Sequence, residues 1–154
     1  MSFEKAKKYL QEKGYEDHII ELEDSSATVQ LAAEALGVEP GMIAKTLSFL
    51  VSDTPILILA EGTARVDNHK YKDTFRTKAK MIPFDDVEDF IGHAPGGVCP
   101  FGIKEGIPVY LDESLKKFDT VYPAAGNDHS AVRLTIAELE AVADAEKWVD
   151  VCKE

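Results

Sequence analysis

The chain has 154 residues, of which 45% are hydrophobic and 29% are charged, and its formal net charge is −11. This balance is typical of a globular protein and excludes collagen-like, low-complexity and disordered classes. The negative charge argues against a general nucleic-acid binder, DNA-binding proteins included, because contacts with phosphates need a positive field. We expect one domain over residues 1–154 and a cytoplasmic location, because no apolar run has the length of a membrane span or a secretory signal.

The first half of the chain predicts two helices and a hairpin. Apolar residues at helical spacing predict a helix that ends near Gly14 and a second helix over 29–36. Thr28 can cap the start of the second helix, and Gly37 can adopt the left-handed conformation at its end. Strands are predicted at 19–22, 43–51 and 55–59, the last two forming the hairpin.

The second half predicts two more helices and several short strands. Asp85 is expected to cap a helix that Gly92 ends, with Glu88 placed for a reciprocal bond, and Thr135 with Glu138 forms a capping box. Strands are predicted at 109–111, 121–122, 132–134 and 148–151. Because the elements follow neither a regular βαβ alternation nor separate blocks, the prediction is an α+β fold around a mixed sheet.

Basic residues concentrate in one segment of this acidic chain. Between Arg65 and Lys80, six basic side chains outnumber two acidic ones, so the segment carries +4 and the remainder −15. Such a segment is either the solvated face of a helix or the place where the protein contacts a polyanion.

Lys45 lies where an apolar side chain is expected. If 43–51 is a strand, its two-residue period places Lys45 on the same face as Leu47, Phe49 and Val51. A buried ammonium needs an anion, a route to solvent or a ligand. Lys45 is therefore a candidate binding residue, or a residue whose stem simply reaches solvent at the start of the strand.

Two polar or flexible turns are further candidates. The loop over 96–102 contains three glycines and one proline, so its backbone groups can approach a ligand closely. His129 lies in a polar turn and can orient a ligand or move a proton, or it can be merely exposed. Cys99 invites a nucleophile hypothesis, although no His or Asp has a recognisable spacing from it. No Cys/His spacing predicts a metal site.

These segments together resemble the YbaK and prolyl-tRNA-synthetase-associated editing domain family. The resemblance rests on the helix at 28–38, the stretch Ile43-Ala44-Lys45-Thr46-Leu47, the Gly-x-x-x-Pro loop from Gly96 to Pro100, and Gly126 with His129 before Val132-Arg133-Leu134. It covers nearly the whole chain, and each motif occurs in the expected order.

The resemblance implies a free-standing aminoacyl-tRNA deacylase, without metal or cofactor, whose compact domain has a curved mixed sheet flanked by helices. Its partners would be the acceptor end of a charged tRNA and an aminoacyl-tRNA synthetase. The implied catalytic residues are Lys45, Gly96, Gly97 and His129. The implied substrate-binding residues are Thr28, Thr46, Val98, Cys99, Pro100 and Gly126. The basic segment adds Lys70, Lys72 and Arg76 as candidate tRNA-binding residues.

Two departures from the family leave the removed amino acid open. Position 99 is Cys where many members have Ser or Thr, and position 46 is Thr where some alanine-specific members have Asn. Alanine, cysteine or serine on a proline tRNA or a related tRNA all remain candidates. The alternatives are an inactive tRNA- or synthetase-binding module of the same fold, and a thiol hydrolase that uses Cys99.

Overall fold

The computed structural model describes residues 2–153. Its helices are α1 (Ser2–Glu12), α2 (Val29–Leu36), α3 (Asn68–Phe75), α4 (Val87–Ile91) and α5 (Ile136–Val142). Its strands are β1 (Ile19–Glu21), β2 (Ala44–Val51), β3 (Thr54–Glu61), β4 (Arg65–Val66), β5 (Val109–Asp112), β6 (Thr120–Val121), β7 (Ser130–Val132), β8 (Leu134–Thr135), β9 (Lys147–Val149) and β10 (Cys152–Lys153).

A four-stranded sheet forms the centre of the structure, in the order β2-β3-β5-β9. The β2–β3 hairpin is antiparallel, whereas β3–β5 and β5–β9 are parallel. Three two-stranded pairs, β1–β7, β4–β10 and β6–β8, lie outside it. The predicted α+β class with a mixed sheet is confirmed.

The two faces of the central sheet pack against different hydrophobic clusters. The larger cluster includes Leu57 and Leu59 of β3, both fully buried, together with residues of α1, α4 and α5. The smaller cluster contains the alternate residues of β3, Ile56 and Ile58, together with Tyr71 of α3. Because β2 lies at the edge of this sheet, one side of its backbone is free of β3 and available for other contacts.

Local sequence signals place the ends of α2 and α5 correctly. The hydroxyl of Thr28 accepts a hydrogen bond from the amide of Leu31 at 3.1 Å, and Gly37 adopts a left-handed conformation with φ of 72°. Thr135 and Glu138 form the predicted capping box, with both reciprocal bonds present. These caps fix where α2 begins, and the start of α2 borders the site described below.

Two local predictions differ from the structure. Asp85 does not cap α4, because Pro83 leads into a 3-10 turn at Phe84–Asp86 and the helix begins at Val87 without a side-chain cap. The strand predicted at 132–134 is divided at Arg133, since β7 pairs with β1 whereas β8 pairs with β6.

The basic segment forms helix α3 and the extended stretch after it. Asp67 caps α3 by accepting hydrogen bonds from the amides of His69 and Lys70.

Within residues 2–153 no helix is long and apolar enough to cross a membrane.

Candidate functional site

A cavity of about 430 Å³ opens beside the free edge of β2, between the start of α2 and the glycine-rich loop. Its walls are mainly apolar, and they come from parts of the chain far apart in sequence. The lining residues are 26–29 and 32, 43–46 and 48, 81, 82, 84 and 87, 95, 96 and 98, 122 and 124, and 130 and 131. A mainly apolar cavity with a few polar groups is the usual form of a small-molecule site.

Among the described residues, backbone hydrogen bonds cover the edge of β2 on both sides of Thr46 but not at Thr46 itself. The carbonyl of Ser48 accepts from the amide of Ile82 at 3.1 Å, and the amide of Ala44 donates to the carbonyl of Tyr122 at 3.3 Å. Backbone direction alternates along a strand, so Thr46 also directs its N–H and C=O away from β3. Its hydroxyl is buried without a hydrogen-bond partner among the described residues. Thr46 therefore presents hydrogen-bonding groups that a ligand can use.

Lys45 is half-buried and shares a face with the apolar residues of β2, as its position in the strand predicts. Its ammonium donates hydrogen bonds to the carbonyl of Gly62 at 3.3 Å and to the carbonyl of Ala64. Burial lowers the pKa of Lys45, and the nearby Cys152 and Glu61 oppose that shift. Within residues 2–153 it forms no ion pair with a carboxylate. Its two hydrogen bonds go to neutral carbonyls, so one of its three N–H donors remains.

The glycine-rich loop is held against the turn that precedes β7. A Cβ atom on Gly97 would lie 2.6 Å from the amide nitrogen of Asn127 and 2.6 Å from the carbonyl carbon of Gly126. Only a residue without a side chain permits this backbone contact. The close approach at Gly97 is therefore to the chain itself, and it positions Gly96 and Val98 on the cavity wall.

His129 lies in this turn but does not line the cavity. Its Nδ1 is 3.1 Å from a carboxylate oxygen of Asp128, and its Nε2 is 3.4 Å from the side-chain nitrogen of Asn127. The side chain is 51% exposed. The next residues, Ser130 and Ala131, do line the cavity. His129 is thus placed beside the cavity, facing solvent.

The comparisons with known proteins agree with this arrangement. Residues 23–142 match the model of a family described as the aminoacyl-tRNA editing domain. The chain belongs to this aminoacyl-tRNA editing family. The resemblance stated from the sequence motifs is confirmed.

Three relatives show how this editing domain compares with others. It is 45% identical over 155 residues to "Uncharacterized protein YwhH" of Bacillus subtilis (strain 168), covering 100% of this chain and 99% of that protein. It is 28% identical over 122 residues to "Putative Cys-tRNA(Pro)/Cys-tRNA(Cys) deacylase EbsC" of Enterococcus faecalis (strain ATCC 700802 / V583). That alignment covers 78% of this chain and 74% of that protein. A solved structure titled "Crystal structure of a putative trans-editing enzyme for prolyl tRNA synthetase" superposes with a TM-score of 0.88 at 30% identity. The superposition covers 99% of this chain and 98% of that chain.

In this editing domain Cys99 belongs to the glycine-rich loop, but it is not among the residues that line the cavity. It is fully buried, with its sulfur 3.6 Å from the Nε2 of His93 and 3.6 Å from the carbonyl of Phe101. Burial raises the pKa of the Cys99 thiol to about 12. A buried thiol that stays protonated is a poor nucleophile. Sequence spacing had not indicated His93 as its neighbour.

Replacing Cys99 by serine is expected to leave kcat for deacylation within about threefold of the wild-type value. The serine hydroxyl can donate to the carbonyl of Phe101 as the thiol does, and a catalytic thiolate would instead lose nearly all activity. Single-turnover deacylation of the two proteins measures the difference. A loss of activity beyond about 100-fold in a folded Cys99→Ser protein would restore the thiol-hydrolase alternative.

His93 makes the stability of the editing domain depend on pH. The ring is fully buried, and its Nε2 lies 2.7 Å from the carbonyl of Phe101, while its Nδ1 has no partner among the described residues. Burial lowers the pKa of His93 below its ordinary value of 6.5. The unfolded chain therefore binds a proton near pH 6.5 that the folded chain does not, so stability falls as the pH drops below 6.5.

We expect the free energy of unfolding to decrease between pH 6.5 and 5.5 by up to about 1 kcal/mol from His93 alone. His93→Gln keeps an N–H donor near Phe101 but cannot titrate, so its stability should vary less over this interval. Urea unfolding at both pH values compares the two proteins. An equal change in the free energy of unfolding between the two pH values in both proteins would show that His93 does not contribute to the pH dependence, since the other histidines are common to both.

The basic side chains of α3 differ in their contacts. Lys70 donates to a carboxylate oxygen of Asp150 at 3.0 Å and to the carbonyl of Cys152 at 3.1 Å. The hydrogen bond to Asp150 raises the pKa of Lys70. Lys72 and Arg76 are exposed, and Arg76 ends α3 in a left-handed conformation with φ of 63°. Lys70 thus joins α3 to the C-terminal strand, and the other two are freer to meet a ligand.

The structure brings some of the predicted site residues together and leaves others outside. Thr28, Lys45, Thr46, Gly96 and Val98 line the cavity. Gly97, Pro100 and Gly126 are buried behind it. Ser48, Met81, Phe84 and Tyr122 also line the cavity, and no motif in the sequence marked them. No cluster of three or more His, Cys, Asp or Glu side chains that could bind a metal occurs within residues 2–153.

Proposed function

We propose that the protein hydrolyses the ester bond of a mischarged aminoacyl-tRNA, acting in trans on alanine, cysteine or serine carried by a proline tRNA or a related tRNA. The observation that supports this most directly is the cavity itself. It joins Thr28, the pair Lys45 and Thr46, and the loop at Gly96 and Val98, three motif segments that are distant in sequence. Membership of the editing family supports the same chemistry.

In this proposal Lys45 binds the phosphate or ribose region of the tRNA 3′ end. Two backbone carbonyls accept hydrogen bonds from its ammonium, and its third N–H is left for a ligand. Because Lys45 forms no ion pair within residues 2–153, and Glu61 acts on it only from a longer distance, its charge remains available to an anion. The partly buried position strengthens that interaction relative to an exposed lysine.

Thr46 and the glycine-rich loop are proposed to orient the ester. A water attacks the carbonyl carbon, the bond to the ribose oxygen breaks, and that oxygen takes up the proton that the water loses. The carbonyl oxygen gains negative charge in this step, and the outward N–H of Thr46 is a candidate donor to it. An activated ester needs a positioned water and a polarised carbonyl more than a strong nucleophile.

His129 is proposed to fix the part of the substrate that stays outside the cavity. Its ring is exposed and held by Asp128 and Asn127. Because it does not line the cavity, it can contact the tRNA next to the esterified ribose. Gly126 and Gly97 support this role by holding the turn against the loop.

A deacylation panel tests the proposed function. Alanyl-, cysteinyl- and seryl-tRNA of the proline type are incubated with wild-type protein and with Lys45→Met. Turnover on one substrate that is lost in the variant supports the editing reaction and identifies the amino acid. Binding of tRNA without turnover on any substrate would instead favour an inactive binding module, and absence of both would overturn the proposal.

The basic surface of α3 is proposed to contact the acceptor stem. Reversing the charge of Lys72 and Arg76 to glutamate should weaken tRNA binding about tenfold or more at low salt and flatten its salt dependence. Lys70 is left unchanged because it bonds to Asp150 and the variant could lose structure. Reversal of Lys7 and Lys8 in α1 is the matched control, and equal effects of the two reversals would argue against a specific surface.

A further inference from the structure

Two large apolar side chains are exposed on the wall of the cavity. Among the described residues only Leu31, Met81 and Phe84 are exposed large hydrophobics, with 41%, 56% and 74% of their surface accessible. Met81 and Phe84 both line the cavity, whereas Leu31 does not. Exposed apolar groups concentrated at one place usually mark a binding surface.

This apolar platform is held rigidly by its neighbours. The amide of Leu50 donates to the carbonyl of Lys80 at 2.8 Å, and the amide of Ile82 donates to the carbonyl of Ser48 at 3.1 Å. These bonds fix the backbone on both sides of Met81 along β2. Ile82 and Val87 are buried at 4% and 6% exposure on either side of Phe84. The exposure of Met81 and Phe84 is therefore not that of a loose segment, and a ligand would meet a preorganised surface.

Charged residues of opposite sign flank the platform in the sequence. The exposed Lys78 and Lys80 precede Met81, whereas the exposed Asp85 and Asp86 follow Phe84. A nucleotide bound here would direct its phosphate toward the lysines and away from the aspartates. The position between them suits an uncharged planar group, and a nucleic-acid base has that chemistry.

We propose that Met81 and Phe84 stack against the unpaired 3′-terminal base of the charged tRNA. The inference rests on the proposed function, because the ester to be cleaved lies on the ribose of that nucleotide. Stacking on the cavity wall would bring the ribose to the cavity opening, next to the free edge of β2. Recognition of unpaired bases by stacking is the usual way in which proteins bind single-stranded RNA.

The test is a double-mutant cycle between the protein and the tRNA. Phe84→Ala is combined with a substrate whose terminal nucleotide lacks its base, and KM and kcat are measured for all four pairs. Each single change should raise KM about tenfold, and the combination should raise it hardly further, because both remove the same contact. Phe84→Trp keeps an aromatic face and should raise KM far less than Phe84→Ala. Leu31→Ala is the matched control for an exposed apolar side chain that does not line the cavity.

Several outcomes would overturn the proposal. Fully additive effects, or an unchanged KM in Phe84→Ala, would show that the base does not contact Phe84 even though the protein is a deacylase. Loss of self-association in Phe84→Ala without a change in KM would assign the platform to a second copy of the chain. If the wild-type protein hydrolyses none of the substrates, the proposed function fails separately. In that case the cycle is measured by binding instead of kinetics. The dissociation constants of wild type and Phe84→Ala are compared for an uncharged acceptor-stem hairpin with and without its terminal base.

Discussion

Lys45→Met is expected to lower kcat/KM for aminoacyl-tRNA hydrolysis by about 100-fold, equivalent to about 2.7 kcal/mol of transition-state stabilisation. Methionine keeps the apolar stem that lies among the hydrophobic residues of β2 and removes only the ammonium. If the ammonium positions the 3′ end without acting on the ester, KM rises and kcat stays constant. If it also stabilises charge in the transition state, kcat falls too. Steady-state kinetics on the preferred substrate separates the two roles.

The stability of Lys45→Met serves as the control for this experiment. The lowered pKa of Lys45 shows that its buried environment disfavours the charged form, so removing the charge should not unfold the protein. The carbonyls of Gly62 and Ala64 lose a donor, and this loss offsets part of the stability gained by removing a buried charge. We expect a free energy of unfolding within about 1 kcal/mol of the wild-type value. Unchanged kinetics in a folded variant would remove Lys45 from the proposed site.

Sequence reasoning was most successful where one side chain decides a local conformation. Thr28 and Gly37 bound α2, and Thr135 with Glu138 begins α5, because caps act within a few residues. The β2–β3 hairpin follows from two apolar strands separated by a short polar turn. The alternating pattern of β2 also places Lys45 on its apolar face, although it does not indicate the partners of the ammonium.

The same reasoning failed where the chain changes partners. Nothing local indicates that Arg133 divides a strand, since the division arises from pairing with β1 on one side and with β6 on the other. The failure at Asp85 has a local cause instead: Asp85 has the spacing of a cap, but Pro83 leads into a 3-10 turn there. Secondary structure that depends on distant contacts cannot be read from a short window of sequence.

Sequence motifs indicated some residues of the candidate site but not the other residues that line the cavity. Lys45 and the glycine-rich loop carry recognisable sequence patterns, whereas Met81 and Phe84 are ordinary apolar residues that would be assigned to a core. Their exposure depends on how the stretch 80–82 runs along the edge of β2. His93 is six positions from Cys99, and only the folding of the loop brings the two side chains together.

The contact at Gly97 gives the second large expected effect. Gly97→Ala should lower kcat/KM about 100-fold, since a displacement of about 1 Å at a site can have that consequence. The added Cβ would meet the backbone of Asn127 and Gly126 at 2.6 Å, and backbone atoms cannot move aside as a flexible side chain can. The loop and the turn must separate, and Gly96 and Val98 then leave their positions on the cavity wall.

A matched control separates this displacement from a general effect of replacing glycine. Gly106 has φ of 82°, and among the described residues no atom beyond its two chain neighbours lies within 4 Å of the position that an added Cβ would take, so Gly106→Ala introduces backbone strain without a clash. We expect Gly106→Ala to cost about 1 kcal/mol of stability with normal activity. Gly97→Ala should cost about 1–3 kcal/mol and most of the activity. Normal kinetics in a folded Gly97→Ala protein would mean that the packing of the loop against the turn does not position the ester, and the roles assigned to Gly96 and Val98 would have to be abandoned.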